Sequence, residues 1–211
     1  MIYDRLAPVD PVRQGDIFAS LPRVRVPLSV IPVIDDTNAA IPTGWDKLAQ
    51  EGHEVVACLP LAPVRAIVIT QDCDAARNEE ISLCEIRPFE ELEPNIGAHT
   101  VKARVGVITK NARKNYKWFY LPPDPDFGLD KRLAVDFRCT MRLSREELEA
   151  HLHLRIGRLN NVAYDHFRER LAHFFRRYAY NEWYPLDSEE MDLYSSTCPE
   201  PVQRYPWQRP Q

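Results

Sequence analysis

The stretch from Val64 to Asp74 constrains the fold more than any other part of this 211-residue sequence. Its four consecutive apolar residues, Ala66 to Ile69, are typical of a β-strand that is buried on both faces. Because a buried strand delivers the residues after it to a fixed place, we expect the next side chains to form a binding or catalytic site. Those side chains are Thr70, Gln71, Asp72, Cys73 and Asp74.

Composition places the chain among ordinary globular proteins with reduced cysteines. Charged residues make up 27% and hydrophobic residues 45%, and no apolar run approaches the roughly 18 residues of a membrane span. The five cysteines form no CxxC pair, so neither a disulfide framework nor a zinc site is predicted. Residues 1–5 lack the basic and then apolar order of a secretory signal, which predicts a cytoplasmic protein.

A basic segment stands out against the net charge of −4. Lysines and arginines between residues 102 and 117 are interleaved with aromatic residues, a mixture typical of grooves that bind single-stranded nucleic acid. The alternation of the aromatic residues favours a second interpretation, a solvated loop that leads into a half-buried strand. The candidate binding residues of this segment are Lys110, Arg113, Tyr116 and Trp118.

Strand patterns dominate the first two thirds of the chain. The predicted strands are 17–19, an edge strand interrupted by prolines at 24–33, then 54–59, 66–70, 81–86, 117–121 and 132–143. In the last of these, the alternation predicts that the odd-numbered residues from Leu133 to Met141 share one face.

Helix patterns follow in the last third. Ser144 and Glu147 have the spacing of a capping box, which predicts a helix to about Leu154. Aromatic residues and leucines at intervals of three and four, from Tyr164 to Tyr178, predict a second, amphipathic helix. The prolines beyond it predict a tail without regular structure. The predicted organisation is an extended arm (1–14), a β-rich domain with C-terminal helices (15–180) and a proline-rich tail (181–211).

Four short motifs follow one another along the chain. They are Gly15-Asp16-Ile17, the strand at 65–70, the strand at 132–143, and Arg155-Ile156-Gly157-Arg158-Leu159 before the last helix. Their order is similar to that in the PemK/MazF family of toxin endoribonucleases. The resemblance implies a small, curved SH3-like β-barrel with helices packed against it, and hence a mainly β member of the α+β class.

The same resemblance implies a function. Proteins of that family cleave single-stranded RNA without a metal ion, are usually dimeric and are neutralised by an antitoxin segment. Applied to this chain, the resemblance implies single-stranded RNA as substrate, no cofactor, a homodimer, and an antitoxin or phage-defence protein as partner.

Cleavage of RNA requires a base, a cation that stabilises the phosphorane and an acid for the leaving oxygen. The sequence offers Asp72 or Asp74, Arg65 or Arg87, and His53 for these roles. The strands at 66–70 and 81–86 should pair antiparallel across a short turn. We therefore expect the polar residues 72–74 to share one shallow pocket with one of the two arginines.

Two departures from the family pattern favour a second hypothesis, a catalytically silent barrel that binds a protein partner or nucleic acid. The arginine of the family's RP strand is displaced in Pro63-Val64-Arg65. The segment Glu85-Ile86-Arg87-Pro88, where the family has a PITT-like sequence, contains no hydroxyl group.

Other chemistries for residues 72–74 stay open. Cys73 as a nucleophile would need a nearby histidine, and its two flanking carboxylates disfavour the thiolate. Asp72 and Asp74 could hold Mg²⁺ together with Glu85. In a purely structural interpretation, Cys73 is a small buried residue and the aspartates cap a turn by accepting backbone N–H groups.

Overall fold

The structure, a computed structural model, describes residues 2–94, 100–110, 117–176 and 186–197. The chain divides into two compact units, Met1–Phe174 and Phe175–Gln211. In the part of the chain that the structure describes, no helix has the length and apolarity needed to cross a bilayer.

The described residues of the first unit form nine strands. They are β1 (Tyr3–Asp4), β2 (Asp16–Val24), β3 (Ile31–Ile34), β4 (Ala40–Thr43), β5 (Leu61–Val68), β6 (Glu80–Pro88), β7 (Trp118–Leu121), β8 (Leu133–Ser144) and β9 (Arg155–Leu159). Seven of them form one antiparallel sheet in the order β1-β9-β2-β5-β6-β8-β7, and β3 pairs with β4 as a separate hairpin. Because β1 and β7 are edges, the sheet of the described residues is open rather than closed into a barrel.

Seven α-helices accompany the strands of the described residues, so the predicted mixed α+β class is confirmed. They are α1 (Trp45–Glu51), α2 (Asp72–Ala75), α3 (Phe89–Leu92), α4 (Val101–Lys110), α5 (Arg145–Ala150), α6 (Asn161–Phe175) and, in the second unit, α7 (Ser188–Thr197).

The last three residues of β5 are buried on both faces, as the apolar run that begins at Ala66 predicts. Ile67 packs into a first core that includes Phe167 of α6, whereas Ala66 and Val68 pack into a second core that includes Leu148 of α5. None of the three β5 side chains is exposed to solvent. Burial on both sides fixes the end of β5 and therefore the position of the residues that follow.

The predicted alternation of β8 is wrong beyond Phe137. Cys84 of β6 pairs with Thr140, whereas Ile86 pairs with Val135, so four β8 residues lie opposite a single residue of β6. This wide bulge changes the face that the later residues present. Val135 consequently packs into the first core, whereas Met141 packs against the second.

The segment 54–59, predicted as a strand, forms only an isolated bridge between Ala57 and Val33 of β3. It runs beside β3, where Ile34 donates to the Val56 carbonyl and Cys58 donates to the Pro32 carbonyl, both at 2.8 Å. Pro32 has no N–H group to return a bond, so the ladder does not extend.

The region before β9 also differs from its prediction. Ser144 caps α5 through a hydrogen bond from the Glu147 backbone at 3.4 Å, as the capping box predicts. However, α5 ends at Ala150, and a 3-10 helix, Leu152–Leu154, follows it. The Arg155–Leu159 motif then forms β9, which pairs with β1 on one side and β2 on the other.

The amphipathic helix predicted after Asn160 is confirmed as α6. Phe167 and Leu171 are buried in the first core, and Phe174 is partly buried against it. Phe175, counted in the predicted apolar stripe, is instead 63% exposed. Tyr178 lies outside the described residues.

The prediction that the tail has no regular structure is wrong for α7. Asp187 and Glu190 form a reciprocal capping box, in which each side chain accepts the backbone N–H of the other, at 2.9 and 3.0 Å. The prolines of this region lie before and after α7, so none interrupts it.

Candidate functional site

The polar residues after β5 begin a short helical turn. β5 and β6 pair antiparallel as predicted, with Arg65 opposite Ile86 and Val68 opposite Leu83. Thr70 closes the connection, because its hydroxyl accepts the Ser82 backbone N–H at 2.7 Å. Asp72 then begins α2.

Asp72 is held by three groups that are distant in the sequence. Its Oδ1 accepts the Gln14 backbone N–H at 2.9 Å. Its Oδ2 accepts an N–H of Arg13 at 2.9 Å and the hydroxyl of Tyr164 at 3.2 Å. The carboxylate therefore joins the segment before β2 to the first turn of α6.

These contacts shift the ionisation of the Asp72 and Tyr164 side chains. Burial raises the pKa of the Asp72 carboxyl, but the hydrogen bonds from Gln14, Arg13 and Tyr164 and the charge of Arg13 outweigh burial and leave the pKa below its usual value. Burial, followed by the charge of Asp72, raises the pKa of the Tyr164 phenol. At neutral pH these directions make Asp72 a weak base and Tyr164 a weak acid.

Gln14 fixes the geometry between β5 and Asp72. Its side-chain amide donates to the Ile69 carbonyl at 2.6 Å, and the next residue, Gly15, donates to the Val68 carbonyl at 3.0 Å. The Gln14 side chain is buried, and its Oε1 has no hydrogen-bond donor among the described residues. The end of β5 is thus tied to the residues before β2 through two successive carbonyl groups, those of Val68 and Ile69.

The Gly-Asp-Ile and Arg-Ile-Gly-Arg-Leu motifs meet in a buried ion cluster. Asp16 accepts Nη1 of Arg155 at 3.0 Å and Nη2 of Arg158 at 3.1 Å, and Nε of Arg158 donates to its other oxygen. The same guanidinium groups donate to the carbonyls of Ala7 and Pro11. The cluster therefore fastens the predicted N-terminal arm to β2 and β9.

A cavity of about 350 Å³ lies beside Asp72, and we call it the Asp72 pocket. It is lined by Asp4, Arg5, Leu6, Arg13, Gln14, Asp72, Arg158, Leu159, Asn161 and Tyr164. Three guanidinium groups and two carboxylates therefore face one opening. Its walls come from the residues around Gly-Asp-Ile, from the residues after β5, and from β9 with the start of α6.

The predicted pocket that joins Asp72 to Arg65 or Arg87 does not form. Arg65 donates to the Gly128 carbonyl at 3.4 Å, and Arg87 pairs with Glu91 at 2.8 Å. Asp72 already has Arg13 as its ionic partner. The reason is strand geometry, because both predicted arginines belong to the paired lengths of β5 and β6, whereas Asp72 lies beyond the end of β5.

His53, predicted as the acid, lies two residues beyond the end of α1, exposed and 3.8 Å from the Glu51 carboxylate. No described contact joins it to Asp72 or Asp74. The three predicted catalytic groups are therefore not brought together.

Cys73 and Asp74 are separated from the Asp72 contacts. Cys73 is exposed, so its interpretation as a small buried residue is wrong. Asp74 lines a different, polar cavity together with Thr70 and Gln71. Glu85, the third ligand of the Mg²⁺ hypothesis, is instead paired with Arg23. Among the described residues no three His, Cys, Asp or Glu side chains are grouped to hold a metal ion.

The predicted stacking residue Trp118 is part of the protein interior. It is 2% exposed, its ring packs edge-on against Phe89, and its indole N–H donates to Glu93 at 2.9 Å. It therefore has no open face for a base. Lys110 ends α4, and Arg113 and Tyr116 lie outside the described residues.

Comparison with known protein families found no family model that matches this chain. The search of curated proteins found no match either.

Sequence reasoning missed three residues that hold Asp72, namely Arg13, Gln14 and Tyr164. Arg13 and Gln14 come directly before the Gly-Asp-Ile motif, and this adjacency was the available signal. Tyr164 was counted only in the apolar stripe of α6, although a tyrosine at the edge of such a stripe carries a polar end.

Proposed function

We propose that this chain is a catalytically silent, PemK/MazF-like protein that binds single-stranded RNA at the Asp72 pocket. The observation that carries the proposal is the convergence of three separate motifs on that pocket. Residues before β2, after β5 and at the start of α6 all contribute polar side chains to it. Chain segments that are distant in sequence and supply charged groups to one cavity are typical of a binding site.

Arg13 is the group best placed to contact a phosphate. Its side chain is about half exposed, and Asp72 accepts only one of its five N–H donors. The fork of a guanidinium matches the oxygens of a phosphate. Asp72 is then a positioning residue, because Gln14 and Tyr164 fix the carboxylate and the carboxylate orients Arg13.

A PemK/MazF-like curved barrel remains part of the proposal for the fold. Two features support it. Both β2 and β8 carry register shifts, and bulges increase the bending and twist of a sheet. The antiparallel pairing of β2 with β9 also brings the first and last family-like motifs together.

A protein partner, such as an antitoxin or phage-defence protein, and a homodimer belong to the same proposal. Apolar side chains of residues 24–61 support such a partner. Val26, Leu28, Val56 and Leu61 are each more than half exposed. Val24 and Leu61 lie opposite each other on β2 and β5, so these two exposed side chains share one face of the sheet, and contiguous apolar surface marks protein interaction sites.

Arg13→Ala should weaken RNA binding by about tenfold, since it removes one charged contact to a phosphate. The slope of log K against log salt concentration should fall in magnitude by about 0.7, the value for one contact with a single strand. Fluorescence anisotropy with a labelled single-stranded oligoribonucleotide at several salt concentrations measures both quantities.

Arg132→Ala is the matched control for this experiment. Arg132 pairs with Glu90 at 2.9 Å, the same separation as the Arg13–Asp72 pair, but it lies outside the Asp72 pocket. Its loss should leave RNA affinity unchanged. Equal weakening in both variants, or a parent protein that does not bind RNA, would contradict the proposal.

RNA cleavage is the second candidate function, and one observation favours it. Asp72, Tyr164 and Arg13 place a carboxylate, a phenol and a guanidinium in contact, which are the group types that transesterification needs. The pKa directions oppose it, because the lowered pKa makes the Asp72 carboxylate a weak base and the raised pKa makes the Tyr164 phenol a weak acid.

We therefore expect single-stranded RNA to remain intact after long incubation with the purified protein in EDTA. Gel electrophoresis of end-labelled RNA measures this outcome, and Asp72→Asn is the companion variant. Fragments with cyclic phosphate ends that appear with the parent and disappear with Asp72→Asn would instead establish cleavage at this site.

A further inference from the structure

A second pocket, of about 610 Å³, lies where the end of β2 faces β6 and the bulged part of β8. Four arginines line it, and we call it the arginine pocket: Arg23, Arg25, Arg87 and Arg142. It shares no lining residue with the Asp72 pocket. Glu85 is the one acidic residue in its walls.

Glu85 and Arg23 form the floor of the arginine pocket. One nitrogen of Arg23 donates to both carboxylate oxygens of Glu85, at 2.7 and 2.8 Å. β5 lies between the strands that carry them, so Arg23 reaches across β5 to Glu85. Glu85 is only 7% exposed, and Nε of Arg23 is buried with no acceptor among the described residues. The Arg23–Glu85 pair is therefore held in one position, and the other three arginines line the pocket around it.

The remaining arginines differ in how far acidic partners neutralise them. Arg87 is shared by Glu91 at 2.8 Å and Asp136 at 3.6 Å, and Arg142 contacts Glu80 at 3.3 Å. None of these three carboxylates lines the pocket. Arg25 makes no side-chain hydrogen bond or ion pair with the described residues. Arg25 is therefore available to an anion, and Arg142, which is 72% exposed and contacts Glu80 through one nitrogen only, keeps further N–H groups for the same anion.

The rest of the wall is apolar. Pro22, Val24, Met141 and Leu143 line the pocket beside the arginines. The β8 bulge places Met141 and Leu143 there, because it shifts the face that these residues present. A cavity of this size with an apolar wall and a few charged groups suits a small organic ligand. A phosphate would meet the arginines, and a flat base would cover the apolar wall.

We propose that the arginine pocket binds a nucleoside phosphate, either as a free nucleotide or as one nucleotide of an RNA strand. The phosphate lies between Arg25 and Arg142, and the base lies on Val24 and Met141. The inference stands on this pocket alone and does not depend on the function proposed for the Asp72 pocket.

Calorimetric titration of the full chain with AMP, ribose 5-phosphate and inorganic phosphate tests the proposal. AMP should bind most tightly, since only AMP also covers the apolar wall. The double variant Arg25→Gln/Arg142→Gln should bind AMP at least tenfold more weakly. Its melting temperature without ligand should match the parent, because Arg25 has no partner to lose and the Arg142–Glu80 pair is exposed.

Arg132→Gln is the control for lost positive charge, and Arg13→Ala is the control for the other pocket. Neither should change the affinity for AMP. Competition with a single-stranded oligoribonucleotide separates the two sources of the phosphate. Displacement of AMP by the strand identifies RNA as the source, and undisturbed AMP binding identifies a free nucleotide.

Three results would overturn the proposal. The first is no binding of AMP, phosphate or RNA at millimolar concentration. The second is an affinity for AMP that the double variant does not lower, or that Arg132→Gln lowers as much as the double variant does. The third is inorganic phosphate bound as tightly as AMP, which would leave no role for the apolar wall.

Discussion

Replacing Phe167 by alanine should lower the free energy of unfolding of the first unit by about 3–5 kcal/mol, the usual cost of truncating a buried phenylalanine. Phe167 is 0% exposed, and its ring lies 5.3 Å from the ring of Phe119 and 5.8 Å from that of Phe137. The truncation leaves a cavity between α6 and the sheet that these neighbours cannot fill without moving. Urea unfolding followed by circular dichroism measures the loss.

Phe175→Ala supplies the matched control, because Phe175 lies in the same helix but is mostly exposed. It should change the free energy of unfolding by no more than about 0.5 kcal/mol. Were the two variants to unfold at the same urea concentration as the parent, α6 would not cover the first core.

Asp16→Asn should be destabilising by about 3–5 kcal/mol, because it leaves two guanidinium groups without their buried counter-charge. Asp16 is 0% exposed, and the side chains of Arg155 and Arg158 are 3% and 17% exposed. The amide keeps the volume of the carboxylate but not its charge. Thermal melting together with urea unfolding measures the change.

Glu90→Gln is the comparison for that variant. It neutralises a carboxylate whose ion pair with Arg132 is exposed, and such pairs contribute about 0–1 kcal/mol. A small loss for Glu90→Gln beside a large loss for Asp16→Asn is the expected result. Similar small losses in both would mean that water already compensates the charges around Asp16.

Local patterns in the sequence predicted the elements that depend on local physics. The apolar run before Thr70 predicted a doubly buried strand, and the Ser144 capping box and the stripe of α6 predicted two helix starts correctly. Each of these signals lies within one turn or one strand. The Asp187–Glu190 capping box was equally local, but the surrounding prolines concealed it.

Features set by pairing between distant segments could not be predicted in the same way. The β8 bulge depends on how β6 lies beside it, and its effect on Met141 is not encoded in the alternation of β8 itself. The sequence correctly predicted that Asp72 occupies a fixed position after β5. Its partners, 58 and 92 residues away, depend on how β2 and α6 meet the end of β5.

The place of β9 in the sheet also has a consequence for synthesis on the ribosome. β9 lies between β1 and β2, the first two strands of the chain, although it is the last strand of the sheet to be translated. Until residue 159 leaves the exit tunnel, the edge of β2 has no neighbour on that side, and the carboxylate of Asp16 has neither arginine. An unpaired strand edge of this kind is a template for the wrong partner during folding. The nascent chain therefore carries this unpaired edge until β9 has been translated.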